Sequence, residues 1–443
     1  MSSNIDFLRR TDRSYPRRGR DGWRGGRSQR SSVPRAPPPP LGEIIATLEY
    51  DDLQDDTTKT HHPARITDTQ YLTSYNWVRG GSGIIVPGEP PQWTPRPEPS
   101  QLQEDSGDYF RDLNAARHPN YPLEPMIRAI LADKPDYRVQ DLDVVACAST
   151  LGNLLRFARG DSLSFRMLVE VIGNTVFFIR RENSPWELIT DVHGYGHTFP
   201  EAYTTWTKDV RTSESHQRLI NYEFANMNVL MRFEADGFLP ELVPKSGLAA
   251  QENPIHGESD AELEDVLASI TAATITTNHS SATIDDRNPS ALEISKAGRY
   301  IPQCAIFDLK TRSARKSKTD ILQEQMSRLW IRQVPHLVLA FHNTGRFDDV
   351  RVMDVQENLK NWEESQQPSL QRFAILMQMV TSFVRSAEVG KLEVEHNING
   401  EEKGVLNFRI PGGTVNSVLP PDLIYFPSDI SQVYCIVEEV NKI

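Results

Sequence analysis

The sequence predicts a mixed α/β fold, an α+β mixed sheet with helices on both of its faces. Strand-like runs and helix-period runs alternate along the chain from about residue 121. At 38% apolar and 24% charged, its 443 residues supply enough material for a large core. Two polar, low-complexity regions, a tail and an insertion, fall outside that alternation.

The tail comes first. Residues 1–40 read RRTDRSYPRRGRDGWRGGRSQRSS followed by PRAPPPP, a composition that cannot bury a core. Residues 41–120 are mixed. The aromatic, Pro/Gly-rich YLTSYNWVRGGSGIIVPGEPPQWTP (71–95) is expected to form an extended strap on the core, with Tyr75, Trp77 and Trp93 buried beneath it. The main domain then runs over 121–443. LEPMIRAILA (123–132) has the spacing of an amphipathic helix and LDVVACAST (142–150) that of a strand. LGNLLRFARG (151–160) is again helical. FRMLVEVIG and NTVFFIRRE form a hairpin about Gly173-Asn174. GYGHTFPEAYTTWTKDV (194–210) reads as a turn and then a helix, with Pro200 in its first turn. RLINYEFANMNVLMRFEADG (218–237) is a pair of strands.

Residues 240–300 turn polar, acidic and Ser/Thr-rich, the mark of a flexible insertion with one helix at DAELEDVLASITAA. Beyond it come the strand IPQCAIFDLKTRS, a helix at 321–333, the strand HLVLAFHN (336–343) and a long helix at 369–387. The strands KLEVEHNI and GVLNFRI close the domain.

Charge and cysteine bound the function. The formal charge of −12 divides into +7 over residues 1–40 (ten Arg, three Asp) and −19 over the rest, so polyanion binding has to be local. Three scattered cysteines, Cys147, Cys304 and Cys435, make no C-x-x-C pair. They argue against a disulfide framework or zinc ribbon and for an intracellular location. No 18-residue apolar run predicts a membrane span, and the N-terminus has no apolar signal region.

The chemistry is expected where two apolar strands carry charge. In MRFEADG, alternation puts Arg232, Glu234 and Asp236 on one face; in AIFDLKT it puts Asp308 and Lys310 together. Carboxylates brought together this way require something positive among them. Mg²⁺ or Mn²⁺ meets that requirement with oxygen ligands, and would activate a water beside a phosphate, with Lys310 assisting. Solvent-exposed strand-edge charges are the plain alternative.

D-x-K after an upstream acidic strand is the pattern of a restriction-nuclease-like core. In order, VVACASTLGNLLRF, FRMLVEVIGNTVFFIRRE, GYGHTFPEAYT, MRFEADG, FDLKTRS and RLWIRQVPHLVLAFHN resemble the DXO/Rai-type family of RNA 5′-end decapping nucleases, over about residues 140–345. The resemblance implies a metal set of Glu201, Glu234, Asp236 and Asp308. It implies catalytic roles for Glu234, Asp236, Asp308 and Lys310, and substrate contacts from Arg328 and Gln325; Arg312, in line with Asp308 and Lys310, is expected to contact a nucleic-acid backbone. The resemblance also implies RNA and a partner exonuclease as partners, and favours a nuclear address. The chain departs from the pattern in three places. Extra residues precede Glu201, Ala148-Ser149 stand where the family has an arginine, and Arg328 falls where it has a glutamine, with Gln325 one turn away. Two other functions fit the same core: a catalytically degenerate RNA- or protein-binding module, and a DNA nuclease.

Other features read more simply. His193, His197 and Glu201 are four apart, but Gly-Tyr-Gly between the histidines opposes a zinc-binding helix. Arg180-Arg181 closes a strand, Arg232 is expected to pair with Glu234, and FAILMQMVTSF is helix core. DDLQDD (51–56) lacks the long helices that prenyl-diphosphate chemistry needs.

Overall fold

The computed structural model describes residues 36–55, 63–161, 163–189, 192–244, 292–398 and 404–424. All but the last five residues of the Arg/Gly tail, and residues 245–291 with the expected helix of the insertion, lie outside the described residues. The ends of the expected insertion are not flexible, since Pro240–Leu242 is a 3-10 turn and Ile294–Gly298 pairs with Ile84–Gly88 as an edge strand. Among the described residues the strands form two sheets, with helices between them in sequence.

The larger sheet has eleven strands. From edge to edge they are Ile44–Glu49, Val405–Arg409, Lys391–His396, Phe165–Ile172, Thr175–Arg180, Val144–Cys147, Met227–Glu234, Ser213–Phe224, Thr67–Val78, Ile84–Gly88 and Ile294–Gly298. The smaller has six: Arg346–Asp354, His336–Asn343, Ile306–Ser313, Gly237–Phe238, Gln92–Trp93 and Thr204–Thr205.

Strand alternation sorts the side chains of the larger sheet into two cores. Val144, Ala146, Val229, Met231 and Phe233 pack on one face with helices Ala148–Ala158, Ile321–Arg332 and Gln367–Ser386. Val145, Leu219 and Leu230 pack on the other with helix Glu124–Asp133. Helices thus cover both faces, as the alternating pattern predicts. A third core, with Trp93, Phe199, Tyr203, Phe307, Leu309 and Phe347, backs the smaller sheet. Among the described residues no helix is long and apolar enough to cross a membrane.

Several elements differ from expectation for identifiable reasons. Residues 67–78 are no strap: this twelve-residue strand lies inside the larger sheet, between Ser213–Phe224 and Ile84–Gly88. Its Tyr75 hydroxyl and Trp77 indole are fully buried, and both donate to Asn114 Oδ1, at 2.6 and 2.9 Å. The VVACAST strand stops at Cys147, because the buried helical stripe Leu151, Leu154, Leu155 and Ala158 extends back to Ala148. The helix after Pro200 is only Thr198–Tyr203, since Thr204-Thr205 pair with Trp93 and Gln92 as strand. The hairpin at Gly173 forms as read, with Ile172 opposite Thr175 and Gly173 at φ +61°.

The decisive local feature is a crossing. The chain leaves the larger sheet at Glu234 and joins the smaller at Gly237. Gly237 pairs with Phe307, and Phe238 with Ile306. A Cβ at Gly237 would lie 2.3 Å from Phe307 Cζ and 2.8 Å from the Pro91 carbonyl oxygen. Gly237→Ala is therefore expected to destabilise the protein by about 1–3 kcal/mol, read as a lowered urea midpoint. A midpoint equal to wild type would refute this account of the crossing.

Candidate functional site at the seam of the two sheets

The antiparallel register that sets Gly237 against Phe307 continues one step to place Asp236 opposite Asp308. Asp236 therefore belongs to the crossing and not to the Met227–Glu234 strand, and it reaches Asp308 by register. Like charges directly opposite one another are destabilising. Two features relieve this pair.

The first is protonation. Burial and the neighbouring Asp308 charge hold the Asp236 carboxyl well above its ordinary range. Burial also pushes Asp308 up, but Arg328 and Arg332 outweigh it and hold Asp308 down at about 2. Charge is therefore favoured on Asp308 and disfavoured on Asp236. The second is the helix Ile321–Arg332, whose Arg328 and Arg332 lie one turn apart on the same face. Arg328 donates to Asp308 Oδ1 and lies 3.8 Å from Asp236 Oδ2. Arg332 donates to Asp308 Oδ2 at 3.3 Å. The Leu309 backbone N–H donates to Asp236 Oδ2 at 2.6 Å.

Two cavities flank this cluster, and His197 lines both. One, of about 410 Å³, is lined by Glu201, Glu234 and Arg332, with Ala148, Ser149 and Arg180. The other, of about 660 Å³, is lined by Asp236, Lys310, Arg312, Lys316 and Arg328. Burial, then Arg328 and Arg312, lower the Lys310 ammonium below its ordinary value. Glu234 lines the smaller cavity with its side chain open to solvent, and desolvation by the surrounding protein raises its carboxyl.

The expected residues thus divide. Asp236, Asp308, Lys310, Arg312 and Arg328 come together. Glu201 sits exposed in the first turn of its helix, opposite Glu234 in the smaller cavity. Gln325 is buried and lines neither cavity. Arg232 pairs with no part of Glu234; it donates to Cys147 Sγ at 2.9 Å and Pro122 O at 3.0 Å, with Asp112 4.0 Å away. His197 is no zinc ligand: its ring lies on Tyr109, with centroids 3.4 Å apart. The sequence reading passed over Arg332, although four-residue spacing from Arg328 marks it as a neighbour on that helix face.

The expected metal fits this arrangement poorly. Among the described residues no three of His, Cys, Asp and Glu gather closely enough to hold an ion. Both Asp308 oxygens face guanidinium groups, and burial and the Asp308 charge disfavour ionisation of the Asp236 carboxyl. A dication about 4 Å from a guanidinium would meet a repulsion of about 8 kcal/mol at an effective dielectric of about 20.

A family model described as "Domain of unknown function (DUF8563)" matches residues 48–408. No curated protein matches the chain. Among solved structures it is similar to S. pombe Rai1, at 8% identity and a TM-score of 0.52, over 82% of this chain and 98% of that one. It is also similar to Scheffersomyces stipitis Rai1 in complex with (3′-NADP)+ and calcium ion. There the identity is 10% and the TM-score 0.51, over 84% of this chain and 92% of that one. The family resemblance carried by the motifs therefore holds at the level of fold.

The two aspartates should respond unequally to amide substitution. Asp308→Asn leaves Arg328 and Arg332 without their counter-charge and is expected to cost about 3 kcal/mol. Asp236→Asn removes a carboxyl whose charge is disfavoured, so it should cost less than Asp308→Asn at neutral pH. The signs follow from linkage. The lowered Asp308 contributes stability present above its unfolded pKa and lost as pH falls toward 2. The raised Asp236 lowers stability as pH rises from its unfolded to its folded value, a slope that Asp236→Asn removes. Urea titrations of both variants across pH would show whether the proton sits on Asp236.

Proposed function

We propose that this chain, which belongs to the DUF8563 family and has the fold of Rai1, binds the 5′ end of RNA through arginine and lysine side chains in place of a metal ion, and is catalytically degenerate. The observation that carries the reading is Arg328. It lies between Asp236 and Asp308, on the helix position where the resembled family has a glutamine. With charge on Asp236 disfavoured, Asp308 and the nearby Glu234 stand against Arg328, Arg332 and Lys310. A site of that sign suits a phosphate, which guanidinium groups bind in bidentate geometry. That one Rai1 of this fold was solved with (3′-NADP)+ supports a nucleotide as occupant.

The competing reading is a Mg²⁺- or Mn²⁺-dependent hydrolase at RNA 5′ ends. It draws on the convergence of Asp236, Asp308 and Lys310 and on the calcium ion of that same Rai1. It requires Arg328 to leave the carboxylates when metal and substrate enter.

Fluorescence anisotropy with 5′-phosphorylated RNA in EDTA tests the proposal. Binding should survive the chelator, and Arg328→Ala and Lys310→Ala should each weaken it about tenfold. Calorimetry with Mn²⁺ should be silent for wild type, while Arg328→Gln, which removes the cation, should gain a binding signal. Manganese-dependent RNA cleavage by wild type, lost in Asp308→Asn, would overturn the proposal and establish the hydrolase.

A further inference from the structure

The smaller sheet ends in an open strand. Arg346–Asp354 pairs antiparallel with His336–Asn343 on one side only. On its other side Gln101 bridges Arg346, and the Leu102 N–H donates to the Gly345 carbonyl at 3.0 Å. That contact closes the edge at 345–346. Among the described residues no strand pairs with the outer side of 347–354. An unpaired edge presents a row of backbone donors and acceptors to a second strand.

The side chains along this edge match their own copy. Phe347 stands opposite His342 and Asp349 opposite Phe341, so Asp348 is the extra residue of a bulge. Beyond the bulge the alternation is regular. Asp349, Arg351 and Met353 share one face, and Val350, Val352 and Asp354 share the other. Arg351 and Asp349 pair along the strand at 2.5 Å, with side chains 47% and 43% exposed, and Val352 is 46% exposed. Run antiparallel to itself about Val350, the strand sets Asp349 against Arg351 of the second copy, twice by symmetry. Val350 then faces its equivalent, with both Val352 side chains diagonal to the pair. Opposite charges facing across strands are favourable and like charges are not. The neighbouring two-fold registers lack this match. Centring on Arg351 opposes two guanidinium groups, centring on Asp349 opposes two carboxylates, and centring on Val352 sets Asp354 against Val350. An edge carrying one sign of charge repels its copy; this one carries both signs in complementary order.

We propose that Arg346–Asp354 is a self-association edge, through which two copies of this chain pair antiparallel about Val350 and join their smaller sheets into one. A two-fold contact of this kind closes on itself, so assembly stops at the dimer. The seam strand Ile306–Ser313 lies two strands in from the edge. The two clefts therefore come to lie five strand spacings apart across the joint sheet, about 24 Å. So short a ladder buries less than a standard interface, and a dissociation constant of about 10 μM is expected.

Sedimentation velocity on the full chain, from about 1 to about 100 μM, brackets that constant. Wild type should pass from monomer to dimer across this range, and less completely in about 1 M salt. Arg351→Asp and Asp349→Arg each put like charges in opposition at both symmetric sites, and each should weaken self-association about tenfold or more. Both side chains are exposed, so the variants should keep the wild-type circular dichroism. An equimolar mixture of the two variants restores opposite charges across the edge and should dimerise as wild type does. A wild type that stays monomeric at the highest concentration overturns the proposal. So does a dimer that neither variant weakens, since its copies meet elsewhere, and so does a mixture that fails to recover, since the register is then not the one about Val350.

Discussion

Asp236 and Asp308 face each other across the seam of two sheets, and the cleft is organised around what lets them do so. The crossing at Ala235-Asp236 belongs to neither sheet. It is aligned by Gly237 and Phe238, which pair with Phe307 and Ile306. That register forces two carboxyls into opposition, and the opposition has to be relieved by a proton, a cation or both. Here the Asp236 carboxyl is held well above its ordinary range, and the cations come from a helix whose buried face, with Ile321, Met326, Leu329 and Trp330, fixes it against the larger sheet. The hydrophobic packing of that helix therefore also sets where Arg328 and Arg332 point.

On the proposed reading, residue 328 of the same helix decides what neutralises the carboxyl pair. A neutral amide at residue 328 would leave the carboxylate pair in need of a mobile cation. A guanidinium supplies the charge from within the chain, on a flexible but tethered arm. A tethered cation has no binding equilibrium to satisfy, so the pair stays neutralised whether or not metal is at hand. A site already neutralised by the protein has little affinity for a metal and keeps its attraction for an anion.

Much of this was legible in the sequence, and the exceptions share a cause. Strand and helix type followed from periodicity, because each element has one dominant pattern: HLVLAFHN is a strand at 336–343 as written. The convergence of Asp236, Asp308 and Lys310 was readable from the paired strands and from the family resemblance. The role of residues 67–78 was not, because burial on both faces of an interior strand gives an aromatic run with no alternation to distinguish it from a strap. Asp236 was placed on the wrong strand for a related reason. Alternation in MRFEADG continues smoothly through Ala235, and nothing local marks the switch of sheets. The hydrogen-bond partners of Arg232 lie far along the chain, at Pro122 and Cys147, and distant pairing has no signature in a single sequence.

The sign of the cleft has one further consequence. The chain is acidic overall, with a formal charge of −12, so at long range an RNA meets repulsion. At physiological ionic strength that field fades within about 8 Å. Inside that distance the groove presents Lys310, Arg312, Lys316 and Arg328, against Asp105 and Asp236, whose charge is disfavoured. Attraction for an anion is therefore short-ranged and confined to the seam. On the proposed RNA-binding reading, this arrangement would give discrimination without a sequence code, with a chain end and its first phosphate at the cleft and the rest of a folded polyanion held off.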